Sequence, residues 1–190
     1  MGEKRYPEGY SDGDIVEMFG SDREKAFRML MGKYSRRLYL YIRRMLVSHD
    51  DTDDVLQNTL VKAWENLGSL KQSVALSSWL YRIATNETMS FLSEKARRAH
   101  VPLDEVELAD ETPGEDLSGQ TERMGALTLK AIHSLPKAQQ TVFTMKHFEG
   151  LKYREISEVL GTSEGALKAS YHIAPVSYTH LRAHETCADL

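Results

Sequence analysis

The stretch "LDEVELADETPGEDLSGQTE", residues 103–122, constrains this chain most: it holds eight Asp and Glu residues, no Lys or Arg, and a Pro–Gly pair. Such a segment cannot bury enough apolar surface to offset the entropy of ordering it. A flexible acidic linker is therefore expected, with a separate helical block on either side. Taking its eight acids from the net charge of −4 leaves +4 for the remainder. The acidity thus sits in one segment between two basic halves, and the negative total does not exclude a nucleic-acid partner.

Both blocks read as helical. Only five prolines interrupt a chain rich in Leu, Ala, Glu, Lys, Arg and Met, which favours helix throughout. From Asp22 to about Val47, Phe27, Leu30, Met31, Tyr34, Leu38, Tyr41, Ile42 and Met45 recur three or four apart. The opposite face carries Lys33, Arg36, Arg37, Arg43 and Arg44. "SHDDTDD" places acids where a helix of roughly 53–67 would begin, and acids suit a helix N-terminus. After the loop "GSLKQSVALSS", Ser77 or Ser78 is expected to cap a third helix from about Trp79 to Arg98. Trp64 and Trp79 fall on apolar stripes and read as core anchors.

Beyond the linker, Pro136 suits a first helical turn and Gly150 a helix end. "KYREISEVLGTSEGALKASYHIA" carries the strongest local signal, a helix-turn-helix. Ile156, Val159 and Leu160 face inward, Ser157 allows close packing, Gly161 permits positive φ, and Thr162 or Ser163 caps the second helix. Leu167, Tyr171 and Ala174 hold that helix down, turning Glu164, Lys168, Ser170 and His172 outward, as a helix entering the major groove requires.

Other motifs favour simpler readings. Asp50, Asp51 and Asp54 form a DDxxD pattern that suits magnesium, but helix capping explains the acids without a metal. His180 and His184, with Cys187 nearby, have zinc-ligand spacing, yet nothing else on the tail supports a metal, so no metal or cofactor is expected. No apolar run approaches the ~18 residues of a membrane span, and "MGEKRYPEGY" has no signal-peptide core. Neither membrane insertion nor export is expected. The lone Cys187 fits a reducing, cytoplasmic setting.

Taken together, three stretches resemble the extracytoplasmic-function (ECF) group of bacterial sigma-70 family factors. "DTDDVLQNTLVKAWENL" resembles sigma region 2.2, and "SSWLYRIATNETMSFLSEKARR" resembles regions 2.3 to 2.4. "LPKAQQTVFTMKHFEGLKYREISEVLGTSEGALKASYHIA" resembles region 4. The resemblance implies an all-α, two-domain alternative sigma factor that binds core RNA polymerase and directs promoter recognition, duplex melting and transcription initiation. The polymerase would do the chemistry, so the chain would not itself be an enzyme. It would divide into an N-terminal extension (1–21), region 2 (22–99), the linker (100–121), region 4 (122–174) and a tail (175–190).

The resemblance also assigns roles. Asp54, Gln57, Asn58 and Val61 would dock on the β′ clamp helices, and region 4 on the β flap. Lys71 and Ser73, in the base-capture loop, with Arg82 and Asn86, would meet the minus-ten element. Arg154, Ser163, Glu164, Lys168, Ser170 and Tyr171 would meet the minus-thirty-five element. An anti-sigma factor is a further implied partner. The linker's acids would imitate a nucleic-acid backbone near the polymerase active centre.

The chain departs from the family at three points: "KQSVALSS" lacks a loop glycine, Ser170 stands where arginine is common, and Pro175 interrupts the last helix. A proline inside a helix costs roughly 3 kcal/mol, so "PVSYTHLRAHETCADL" is expected to be a non-native, frameshift or vector-derived tail. A self-sufficient helix-turn-helix regulator and a helical adaptor without a DNA role are the alternatives.

Overall fold

A computed structural model describes residues 10–46, 48–70, 75–105 and 132–172. Among these the chain is all-α, with no strand. The expected positions of most of the linker, of the base-capture residues Lys71 and Ser73, and of the tail with His180, His184 and Cys187 lie outside the described residues.

The first block begins one helix earlier than the sequence periodicity suggests. Helix α1, Asp12–Ser21, is set by a capping box: Ser11 Oγ accepts from the Asp14 N–H and Asp14 accepts from the Ser11 N–H. These reciprocal bonds satisfy two amide donors that a helix start leaves without partners. Ile15 is its one fully buried side chain, too little to show as a period. The helix is tied to α2, Arg23–Arg43, where Asp12 Oδ1 accepts from Tyr34 Oη at 2.6 Å and from Lys33 Nζ at 2.7 Å.

Helix α3, His49–Asn66, begins at the Ser48 cap, with Asp50 and Asp51 in its first turn as the dipole favours. Asp51 also pairs with Lys95 at 3.0 Å, joining α3 to α4. Helix α4, Leu76–Ala99, starts three residues before Trp79 with Ala75 at its cap. Ser77 and Ser78 are therefore inside the helix rather than capping it, because burying Leu76 and Leu80 in the shared core outweighs a missing side-chain cap. Tyr41 and Tyr81 cross edge to face at 5.2 Å at the centre, and Tyr41 Oη bonds to Thr85 Oγ1 at 2.8 Å. Trp64 packs at the rim, with Phe27 edge-on at 5.1 Å and the Arg23 guanidinium over its ring at 4.5 Å.

The second block contains α5 (Lys137–Phe143), a π-helical turn (Thr144–Phe148), α6 (Tyr153–Leu160) and α7 (residues 164–172). Part of the acidic segment is ordered against it: Asp104 Oδ1 accepts from the Lys137 N–H at 3.0 Å, capping α5. Gly161 ends α6 with φ +65 and Ser163 Oγ faces the Ala166 N–H at 3.4 Å, giving the turn and cap that the sequence predicts.

The two blocks pack together. Val142, Met145, Leu151, Ile156, Val159 and Leu167 share one buried cluster with Leu38, Ile42, Leu80, Tyr81 and Ala84. Leu167 is buried as its seam position predicts.

Replacing Gly161 with Ala meets no atom within 4 Å but forces a left-handed backbone on a residue with a Cβ. Urea unfolding is expected to show a loss of about 1–2 kcal/mol for Gly161→Ala and almost none for the exposed Gly20→Ala.

Candidate nucleic-acid and polymerase interface

Three solvent faces carry the residues singled out above. On α3, buried Val55, Thr59 and Ala63 turn the other side outward. Asp54, Gln57, Asn58 and Val61 are all exposed there, within two helical turns. Val61 is 49% exposed on a face otherwise polar, which suits contact with another macromolecule better than water alone.

On α4, Arg82 and Asn86 are exposed one turn apart, followed along the same stripe by Ser90, Ser93 and Arg97. Arg97 and Arg98 both pair with Glu94, and their side chains remain 77% exposed. Surface pairs of this kind are worth at most about 1 kcal/mol, so phosphates could replace them.

On the helix-turn-helix, Ser163, Glu164 and Lys168 are exposed, with Glu164 and Lys168 at 3.9 Å. Arg154 stands on α6, 83% exposed, 3.5 Å from Glu158. Ser170 is half-buried. The Tyr171 ring turns inward, stacked on Phe143 at 5.8 Å and edge-on to Tyr153 at 6.3 Å. A half-buried ring held this way offers a partner only part of its surface.

The structure joins two of these faces. An Arg82 guanidinium N–H donates to the Glu158 carbonyl of α6, so α4's outward stripe meets the second block at its first residue, which stays exposed. The deeper contact centres on Glu149, which follows the π-helical turn and whose side chain is 5% exposed. Its Oε1 accepts from Arg44 Nη1 at 2.9 Å, its Oε2 accepts from the Tyr81 hydroxyl, and Arg37 Nη2 stands 3.9 Å away. Burial and the neighbouring carboxylate hold the Tyr81 hydroxyl protonated far above its ordinary range. The Arg44 guanidinium also lies over the Phe148 ring at 4.2 Å. Its carbonyl accepts from His133 Nε2 at 3.1 Å and Gln140 Nε2 at 2.8 Å. Much of the basic face of α2 is thus committed within the chain.

Sequence reasoning did not find Glu149, Tyr81, His133 or Gln140. Their partners lie far along the chain, 105 positions away for Arg44 and Glu149, and no periodicity reports a contact of that kind. Among the described residues no group of His, Cys, Asp and Glu is arranged to hold a metal ion, Asp50, Asp51 and Asp54 included.

Residues 30–98 match the family described as Sigma-70 region 2, and residues 126–174 match Sigma-70, region 4. The chain belongs to the ECF group of the sigma-70 family. It is 29% identical to the ECF RNA polymerase sigma-E factor of Haemophilus influenzae over 177 residues, covering 85% of this chain and 90% of the relative. The protein of the same name from Escherichia coli K12 is 27% identical over 171 residues, covering 85% and 89%. In structure the chain is similar to the sigma factor RpoE of Bartonella quintana, solved with the anti-sigma factor NepR. That match has a TM-score of 0.71 and 22% identity, over 84% of this chain and 98% of that one. It is also similar to CnrH, solved with the cytosolic domain of CnrY, with a TM-score of 0.68 and 21% identity over 91% and 97%. An alternative sigma factor is the function these relatives support.

His133 gives this ECF factor a dependence on pH. Burial, then the charge of Lys137, pushes its imidazole down to about 4 from the ordinary 6.5, against the opposing pull of the Arg44 carbonyl. The unfolded chain therefore binds the proton first as pH falls, and the stabilisation is full above pH 6.5 and lost progressively towards pH 4. Over that window His133→Gln is expected to lose up to about 3 kcal/mol less stability than the parent chain, as read by urea unfolding at a series of pH values.

Proposed function

We propose that the exposed faces divide the work of transcription initiation as the sigma-70 assignment implies. The α3 face docks on core RNA polymerase through Asp54, Gln57, Asn58 and Val61. Acid and amide groups beside an exposed valine suit a partner helix that is basic with an apolar stripe. The α4 stripe meets the melted minus-ten strand through Arg82 and Asn86. Helix α7 enters the major groove of the minus-thirty-five element, with Glu164 and Lys168 on base edges and Ser163 and Arg154 near phosphates.

Lys71 and Ser73 complete the minus-ten contact in this reading. Extruding a base costs a few kcal/mol, so a pocket must supply compensating contacts. Tyr171 acts chiefly by setting the orientation of α7, since its ring is packed against Phe143. The catalytic chemistry belongs to the polymerase, and the site of action is the cytoplasm. Among the described residues no helix is long and apolar enough to cross a membrane. An anti-sigma factor is a further proposed partner, since one structural relative described above was solved with the anti-sigma factor NepR.

The exposed polar face of α3 that ends in the exposed Val61 carries this reading. Co-purification tests it: the chain is expected to form a 1:1 complex with a bacterial core RNA polymerase, and Gln57→Ala with Asn58→Lys to abolish it. In run-off transcription over a promoter library, Lys168→Ala is expected to cost roughly 1–3 kcal/mol at the base pair it reads. Activity of the double variant equal to the parent chain would refute the α3 assignment.

A further inference from the structure

Asp12 is not needed at the start of its own helix. Ser11 and Asp14 already cap α1, and the hydrogen-bond partners of the Asp12 side chain among the described residues belong to other elements. Its Oδ1 accepts from Lys33 Nζ at 2.7 Å and from Tyr34 Oη at 2.6 Å, both on α2. A third partner is the Ser77 backbone N–H, in the first turn of α4. Helix α4 has no cap of its own, since Ala75 offers no side-chain acceptor. Asp12 therefore meets a donor that the helix start leaves free, and its charge suits that end of the helix dipole. Burial works against the ionised form, yet the Lys33 and Tyr34 hydrogen bonds, the Lys33 charge and the Ser77 N–H together hold the carboxyl below its ordinary value. The starts of α1 and α4 lie side by side, with Ser11, Asp14 and Glu17 sharing one cleft with Ala75 and Leu76.

The other end of α1 holds the chain before it reaches α4. Phe19 lies against Gly68, in the 3-10 turn Leu67–Ser69 that follows α3, where an added Cβ would stand 3.0 Å from the ring. Arg23, just beyond α1, covers the Phe19 ring at 5.1 Å and the Trp64 ring at 4.5 Å, and its Nη2 donates to the Trp64 carbonyl at 2.7 Å. One short helix thus touches the chain on both sides of the segment between Ser69 and Leu76. Asp12 and Phe19 stand about two turns apart, roughly 10 Å along the axis. A chain from 69 to 76 drawn out fully reaches about 24 Å, so its length does not fix the separation of its ends. Leu67 and Leu76 sink into the shared core, which sets their depth. The Asp12 hydrogen bonds are directional and set the course of the first turn of α4.

We propose that α1 is a brace for base capture at the minus-ten element, with Asp12 its positioning residue. It fixes the first turn of α4, into which the segment carrying Lys71 and Ser73 runs. The inference rests on the sigma reading of the preceding section, in which those two residues complete the minus-ten contact. Asp12 touches no DNA in this scheme, since a carboxylate would repel a phosphate. Leu80, Tyr81, Ala84 and Leu92 hold the body of α4 in the core, so Asp12 governs its first turn rather than Arg82 and Asn86. Extruding a base costs a few kcal/mol, and contacts ordered in advance lose the least of their own energy in compensating it.

The test uses the full chain with bacterial core RNA polymerase and the fragment most active in the run-off library, with 2-aminopurine replacing an adenine of the minus-ten strand. Its fluorescence rises as the base unstacks. Losing a hydrogen-bonded charge, Asp12→Ala is expected to lower open-complex formation roughly tenfold, with the 1:1 complex with core and the far-UV circular dichroism unchanged. Asp12→Asn keeps an acceptor for Tyr34 and Ser77 and is expected to recover most of the signal. At the other end, Gly68→Ala drives a Cβ against Phe19 and is expected to lower the signal, whereas Gly20→Ala, with nothing within 4 Å, leaves it at the parent level. Opening by Asp12→Ala equal to the parent would overturn the brace. An equal loss of core binding and opening would show a purely structural role and overturn Asp12 as a positioning residue. Should Asp12→Ala not fold, Tyr34→Phe, which removes one donor to the same carboxylate, is read in the same way. A parent chain that starts no transcript refutes the sigma reading itself, whereas an active parent matched by Asp12→Ala refutes the brace alone.

Discussion

Arg44 is the residue on which the arrangement of the two blocks depends. It ends α2, so its carbonyl has no partner further along the helix. The second block supplies two, from His133 and Gln140, and places Glu149 against the guanidinium of the same residue. One helix terminus thereby becomes a socket in which acceptor and donor are both occupied by side chains from beyond the linker. Burial would otherwise make that arginine expensive, and it does push its guanidinium below the ordinary range, with Glu149 acting in the opposite direction. The apolar cluster shared by the blocks supplies adhesion, and the Arg44 socket supplies register.

Polar satisfaction within the contact is uneven. Gln140 donates to Arg44, yet its Oε1 is buried without a partner among the described residues, as is Thr144 Oγ1 in the π-helical turn. A buried acceptor left unpaired costs on the order of 1–3 kcal/mol. Ser78 Oγ, buried within α4 of the first block, is in the same position.

Much of the fold was legible in the sequence because it rests on local chemistry. The seam through Leu167, the turn at Gly161 and the cap at Ser163 belong to one short stretch, and each is realised. Two misreadings were also local in origin. The start of α4 was placed on serines, but burying Leu76 set it earlier. Helix α1 escaped notice because a single buried isoleucine makes no period, although its Ser11–Asp14 capping box was present. The outward faces of α3, α4 and α7 follow from the same periodicities, whereas the Glu149 cluster depends on which distant surfaces meet. A single glutamate before a glycine announces nothing of that.

The π-helical turn gives this last point an evolutionary scale. Successive helical residues are separated by about 100° around the axis, so one residue fewer between Thr144 and Glu149 would swing the carboxylate away from Arg44 while leaving the apolar seam of α6 and α7 to fold as before. Loss or gain of a single codon there would separate a chain whose blocks meet through Arg44 and Glu149 from one whose blocks do not.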